Sequence, residues 1–152
     1  MRFDHFGRGC LCRFSIINAR ISIDDGAASD GVLRRTWYQV GVTVVDRFGQ
    51  PQAYLKNRYA GLHVYDTSRR KAWTAVSFRT STSALAAQTR AGSDASAIRL
   101  LAHALPLSGG LVVYSGEGSI VAGIGVSGAP GPELDEVCAQ DGIDAIEDEI
   151  AF

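Results

Sequence analysis

The chain has 152 residues and 46% of them are hydrophobic, which predicts one folded domain with a single core rather than a disordered chain. The net charge of −1 and the scattered arginines exclude a basic nucleic-acid-binding surface. No apolar run approaches the ~20 residues of a membrane-spanning helix, so we expect a soluble, cytoplasmic protein without a membrane partner.

The charges are unevenly distributed along the chain. All 15 Lys and Arg residues lie at or before Arg99, whereas seven of the 16 acids precede residue 100 and nine follow it. The first part therefore carries +8 (15 minus 7) and the second −9 (0 minus 9). The acidic part either meets a basic surface, in the same subunit or a neighbour, or forms a helix with a solvated face. The second interpretation is favoured.

The N-terminal residues 1–22 have no clear pattern and are interpreted as a poorly defined lead-in to a single domain over residues 23–152. Asp24 and Asp25 precede apolar residues spaced by about four, which predicts a short helix. The cysteines are odd in number and lack framework spacing, which argues against a disulfide scaffold and favours ordinary thiols. They are Cys10, Cys12 and Cys138.

The central part of the chain predicts a β-hairpin followed by helices. "QVGVTVVD" and "QAYLKNRY" are strands, and the turn residues of "DRFGQP" lie between them. The segment 66–90 predicts a helix, with Asp66 or Thr67 as its N-cap. Residues 94–105 predict another short helix. The face of the first helix that packs on the sheet is formed by Ala72, Ala75 and Val76.

The C-terminal part predicts a second hairpin and a final helix. "LVVYS" and "SIVAGIGV" are its strands, with "GEG" as the turn. Pro132 is suited to the first turn of a helix that runs to about Ile150. Hairpins separated by helices predict a mainly antiparallel sheet covered by helices, the α+β class. The expected buried positions of the final helix are Val137, Ile143 and Ile146.

The stretch "GIGVSG" at residues 123–128 matches the pattern G-x-G-x-x-G of dinucleotide-binding loops. Such a loop belongs to a βαβ unit of about 30 residues, whereas only 24 residues follow Gly128 (152 minus 128). We therefore expect no dinucleotide. The glycines are interpreted as positions where a strand approaches neighbouring backbone and then turns. The Ser127 hydroxyl is expected to bond local backbone.

Three longer segments together resemble one known family. They are "VTVVDRFGQPQAYLKNRYAG", "SRRKAWTAVSFRTSTSAL" with its K-A-x-T-A core, and "SGGLVVYSGEGSIVAGIGVSGAPGPELDEVCAQDGIDAI". The chain is similar to the GlcG/HbpS-like family, and to the C-terminal domain of PduO proteins, over about residues 40–147. The resemblance implies a profilin-like fold, an antiparallel sheet of about five strands with helices packed on it. It also implies haem or corrinoid binding, homo-oligomers, and a link to operons for small-molecule catabolism.

The chain departs from this family pattern in two places. The family usually has R-x-D-G-A after the second strand, whereas this chain has "RYAGL" at residues 58–62, with Ala60 in place of the acid. The Gly-Gly loop usually continues into a proline, and here Leu111 follows it. An activity that depends on the missing acid is not expected.

The resemblance predicts a pocket where the loop after the second strand, the K-A-x-T-A helix and the Gly-Gly loop meet. Lys71 either binds a ligand carboxylate or is a surface lysine with a solvated ammonium. His63 is the best candidate for an axial iron ligand, and the alternative is an ordinary solvent-facing histidine. No catalytic residue is assigned. The candidate ligand-binding residues are Arg58, His63, Tyr65, Lys71, Gly109 and Gly110.

Three functions remain open at this point. The favoured one is an oligomeric module that binds or senses haem or another tetrapyrrole. The second is an enzyme or accessory protein for a small hydroxy- or oxo-acid, whose carboxylate Lys71 and Arg58 would hold. The third is an oligomeric scaffold without catalytic activity.

Overall fold

The computed structural model describes residues 14–17, 20–23 and 38–146. Strands β1 (Phe14–Ile17) and β2 (Arg20–Ile23) pair antiparallel as a two-stranded sheet. The helix expected after Asp24 lies outside the described residues, as do Cys10 and Cys12. No helix in the described ranges is long and apolar enough to cross a membrane.

The main sheet has four antiparallel strands, because β1 and β2 pair only with each other. The sequence-based estimate of about five strands is therefore wrong by one, while the α+β class is confirmed. Both predicted hairpins are present, and the spatial order of the strands is β4-β3-β6-β5. These strands are β3 (Gly41–Asp46), β4 (Pro51–Lys56), β5 (Gly110–Tyr114) and β6 (Ile120–Ser127).

The segment predicted as one helix over residues 66–90 contains two α-helices, and the short helix predicted over residues 94–105 is a 3-10 helix. Helix α1 begins two residues before the predicted Asp66, with His63 as an N-cap that makes no side-chain capping bond. It ends at Arg79, whose left-handed backbone (φ 53°) turns the chain away. The helices are α1 (Val64–Phe78), α2 (Thr82–Gln88), a 3-10 helix (Asp94–Leu100) and α3 (Pro132–Asp144).

Helix α1 lies on one face of the sheet, directly against two glycines of β6. A Cβ atom on Gly125 would overlap the Ser68 carbonyl oxygen, and one on Gly123 would lie 2.9 Å from the Ala72 carbonyl oxygen. Gly128 follows the strand with a left-handed φ of 120°. The interpretation of "GIGVSG" as a close-packing strand and turn is therefore confirmed.

Helix α3 covers the other face of the sheet with a different stripe from the one predicted. Val137 is 41% exposed, so its expected burial is wrong, whereas Ile146 is buried and Ile143 packs half-buried against the core. The helix buries positions spaced by three, four and seven, as an amphipathic helix does. These are Asp135, Cys138, Ala139 and Gly142.

Two apolar clusters fill the space on either side of the sheet. Val45, Ala72 and Val76 form the smaller one beneath α1, where the predicted small residues of that helix are buried. The larger one contains Cys138 and Ala139 of α3. Cys138 is fully buried and disulfide-bonded.

Candidate functional site

The six predicted site residues fall into two groups that differ in their exposure to solvent. Arg58, His63 and Tyr65 are exposed at the start of α1. Lys71 is 0% exposed and is enclosed together with the two glycines of the Gly-Gly loop. It lies eight residues after His63, about 12 Å further along the helix. The two groups therefore have to be considered separately.

Lys71 crosses from α1 beneath the Gly-Gly loop to reach α3. Its ammonium donates a hydrogen bond to Asp135 Oδ2 at 2.7 Å and another to the Val126 carbonyl oxygen at 3.0 Å. The interpretation of Lys71 as a surface lysine is wrong, because the side chain joins α1, β6 and α3 inside the fold. We define Lys71, Asp135, Gly109 and Gly110 as the buried centre.

The carboxylate of Asp135 is held in place from both of its oxygens. Oδ2 accepts the hydrogen bond from the Lys71 ammonium, and Oδ1 accepts a hydrogen bond from the Ala129 backbone N–H at 2.8 Å. Asp135 also lies in the first turn of α3, where the helix dipole favours a negative charge. Burial raises the pKa of Asp135 and lowers the pKa of Lys71, and their mutual attraction opposes both shifts.

The two glycines allow the loop to pass over this ion pair. Gly109 has a left-handed φ of 115°, and a Cβ atom on it would lie 2.7 Å from the Asp135 Cβ and 3.0 Å from the Lys71 Nζ. A Cβ atom on Gly110 would overlap the Lys71 carbonyl oxygen. The Gly110 N–H donates to Thr82 Oγ1 at 2.8 Å. Close packing accounts for both glycines.

Asp135 is the residue of the buried centre that the sequence reasoning missed. One signal was present, because Lys71 falls on the stripe of α1 that also carries Ser68, Ala72 and Ala75, all buried. A lysine on a buried stripe needs a carboxylate or carbonyl partner. Nothing in the linear sequence selects Asp135 from the nine acids that follow residue 100.

His63 has a fixed backbone and an accessible ring. Its carbonyl oxygen accepts a hydrogen bond from Thr67 N and lies 3.0 Å from Thr67 Oγ1. These two contacts anchor the first turn of α1. The imidazole lies back over Gly61, where a Cβ atom would be 2.7 Å from its Cε1 and 2.8 Å from its Nδ1. Gly61 therefore leaves the space that the ring occupies.

Large side chains that are close to His63 in the sequence are also exposed. Leu62 is 96% exposed and Tyr59 is 77% exposed, and Tyr65 is about half-exposed. The Arg58 guanidinium carbon lies 5.5 Å from the centroid of the Tyr59 ring. We call this set, formed by Arg58, Tyr59, Leu62, His63 and Tyr65, the His63 edge.

The His63 edge continues inward through a pair of tyrosines. Tyr65 packs edge-to-face on Tyr54 of β4, with ring centroids 4.7 Å apart. In the described part of the chain the buried Tyr54 hydroxyl has no hydrogen-bond partner. Burial raises the pKa of Tyr54, and Tyr65 adds to the effect.

Ser127, at the end of "GIGVSG", stabilises the base of the His63 edge. Its Oγ lies 2.7 Å from Thr67 Oγ1, a residue 60 positions earlier in the chain. The expectation of a bond to local backbone is therefore incorrect, because the strand end meets the first turn of α1. The hydroxyl pair ties that turn to the sheet.

Neither region resembles a multi-ligand metal centre. Among the described residues no group of three or more His, Cys, Asp or Glu side chains could hold a metal ion. His103, the other described histidine, lies against Trp73, with ring centroids 5.6 Å apart and the ring planes tilted by 56°.

Comparison with known proteins agrees with the resemblance noted from the sequence. A family model described as "Haem degrading protein HbpS-like" matches residues 26–144. A double mutant of HbpS from Streptomyces reticuli is 40% identical, with 72% of each chain covered and a TM-score of 0.67. No curated protein matches the chain.

Two further solved structures are similar at lower identity. The Klebsiella pneumoniae protein ORFY is 28% identical over 71% of this chain and 74% of its own, with a TM-score of 0.67. A structure described as a PduOC:heme complex is 29% identical over 72% of this chain and 79% of its own, with a TM-score of 0.66.

Proposed function

We propose, because this chain belongs to the HbpS-like family, that it binds haem and does so at the His63 edge. The family description names haem, and one similar structure is a complex with haem. The observation that carries the location is an accessible imidazole flanked by Leu62, 96% exposed, and Tyr59, 77% exposed. Haem needs an axial ligand and apolar surface for its macrocycle, and these residues fit both needs.

The residues of the His63 edge have separate roles in this proposal. His63 would hold the iron through its imidazole, and the anchored first turn of α1 fixes its backbone. Leu62 and Tyr65 supply apolar surface, which stabilises a bound macrocycle by roughly 25 cal/mol for each Å² removed from water. The Arg58 guanidinium would pair with a carboxylate of the ligand. Bound haem would supply an iron centre that the described protein groups lack.

The test is a haem titration followed by the Soret band. We expect His63→Ala to weaken binding by at least about tenfold, since the axial bond is lost. His103→Ala is the matched control, because it removes the other described histidine from an exposed position outside the edge. Equal binding by both variants would contradict the proposal.

A second variant moves the imidazole without removing it. Gly61 has no left-handed backbone, so Gly61→Ala adds a methyl group that displaces only the flexible His63 ring. We expect haem affinity between those of the parent and His63→Ala, with unchanged folding. Slow loss of the Soret band after binding would reveal haem breakdown as a separate reaction.

The enzyme hypothesis loses one of its two carboxylate-binding residues. Its Lys71 ammonium is 0% exposed and bonded to Asp135, so it does not present a free cation to a small acid. The homo-oligomer implied by the family is supported by exposed leucines and is tested by light scattering. The cytoplasmic location stays a prediction. The leucines are Leu100, Leu101 and Leu107.

A further inference from the structure

A cleft of about 410 Å³ lies at the opposite end of α1 from the His63 edge. It is bounded by the turn of the first hairpin, the last turn of α1 and the start of β6. Its volume falls in the range of small-molecule sites, roughly 300–1,000 Å³. Neither the buried centre nor the His63 edge contributes to it. The lining residues are Arg47, Phe48, Val76, Ser77, Arg79 and Ile120.

We propose that this cleft binds a small organic carboxylate with an apolar body. Two arginines, Arg47 and Arg79, are among the residues that line it. Within residues 38–146 neither forms an ion pair with a carboxylate. The nearest acid in sequence, Asp46, accepts hydrogen bonds from Phe48 N at 2.8 Å and Gln50 N at 3.0 Å. Its charge is therefore engaged inside the hairpin turn.

The backbone at Arg79 is a second, independent observation. Arg79 is the one described non-glycine residue with a positive φ, 53°, at a helix end where glycine is usual. Its N–H donates to the Val76 carbonyl oxygen at 3.3 Å, so the residue is fixed at the rim of the cleft. Strained residues of this kind cluster at ligand sites, and Arg79 is one of the residues that line the cleft.

The apolar wall of the cleft defines the rest of the ligand. Val76 and Ile120 form its floor as part of the smaller core cluster. Phe48 is 78% exposed at the rim, with the Arg47 guanidinium carbon 5.9 Å from its ring centroid. The aromatic or branched apolar part of the ligand would cover these side chains. The carboxylate of the ligand would accept hydrogen bonds from the planar guanidinium groups of the two arginines.

Benzoate is the probe for this proposal, with benzamide as its neutral isostere. Backbone amide shifts of Ser77 and Ile120 are followed by NMR on the full chain. We expect saturable shifts with benzoate only, and affinity at least about tenfold weaker in Arg47→Gln and in Arg79→Gln. Arg90→Gln, which removes the same charge at an exposed position outside the cleft, should bind as the parent does.

Arg79→Gly separates ligand binding from folding. Glycine adopts the left-handed conformation without strain, so the thermal midpoint should not fall, whereas benzoate binding should be lost. Unchanged binding in Arg79→Gly or Arg47→Gln would overturn the proposal. So would equal shifts with benzamide or with inorganic phosphate. Because the haem titration monitors the other end of α1, either proposal can fail without the other.

Discussion

The buried centre and the His63 edge both depend on α1 but use polar residues in opposite ways. Lys71 has all its bonding partners within the protein, namely Asp135 and the Val126 carbonyl oxygen. His63 is exposed at the start of the same helix. A charge that is fully paired in the interior holds elements together, whereas an exposed imidazole remains available to a ligand. Residue type alone does not distinguish these two roles.

The largest expected effect tests the structural role of the buried centre. Lys71→Met leaves the Asp135 carboxylate buried without its partner, which should lower the free energy of unfolding by about 3–5 kcal/mol. Urea unfolding at neutral pH measures the change. The double variant Lys71→Met/Asp135→Leu removes both charges and should recover most of the loss.

The structural role of Lys71 would be contradicted if Lys71→Met were as stable as the parent. It would also be contradicted if this variant, still folded in the absence of urea, lost haem affinity to the same extent as His63→Ala. Either result would mean that Lys71 is a ligand-binding residue rather than a part of the fold.

A smaller loss of stability is expected where α1 approaches the sheet. Gly125→Ala places a methyl group against the Ser68 carbonyl, and backbone cannot move aside as a side chain can. We expect a loss of about 1–3 kcal/mol in the free energy of unfolding. Gly92→Ala is the control, since its added Cβ meets nothing within 4 Å.

Gly92→Ala should lower the free energy of unfolding by only about 1 kcal/mol, because alanine disfavours the left-handed backbone at this position. If Gly125→Ala lost no more stability than this control, the close packing of α1 on β6 would not be a constraint on the sequence. The same urea measurement distinguishes the two outcomes.

The smallest stability effect is expected at the His63 edge. Leu62→Ser changes a side chain that is 96% exposed, so the free energy of unfolding should change by less than about 0.5 kcal/mol. Haem affinity should nevertheless fall by about tenfold, because a covered leucine contributes about 1.5 kcal/mol. If Leu62→Ser lost stability but kept its haem affinity, Leu62 would have a structural role rather than a ligand-binding one, contrary to the contrast between the two regions.

Elements with strong local patterns could be predicted from the sequence. The valine-rich strand of the first hairpin, the "GEG" turn of the second and the Pro132 start of α3 are all where the pattern placed them. The N-cap of α1 and its end at Arg79 were missed, since His63 is not a capping residue and arginine is not a usual left-handed one. The ends of a helix therefore depend on which residues near each end stop it, and the residue types alone did not indicate them here.

The sequence by itself determined the α+β class, both hairpins, the close-packing role of "GIGVSG" and the family. The class, the hairpins and the role of the glycines follow from the periodicity of apolar residues and the conformational freedom of glycine, which act over a few neighbouring positions. The family was indicated by the resemblance of three longer segments. Only the tertiary structure decided that Lys71 pairs with Asp135, 64 residues away, while His63 stays exposed. Burial and partner choice depend on which distant segments meet, and no local pattern records that.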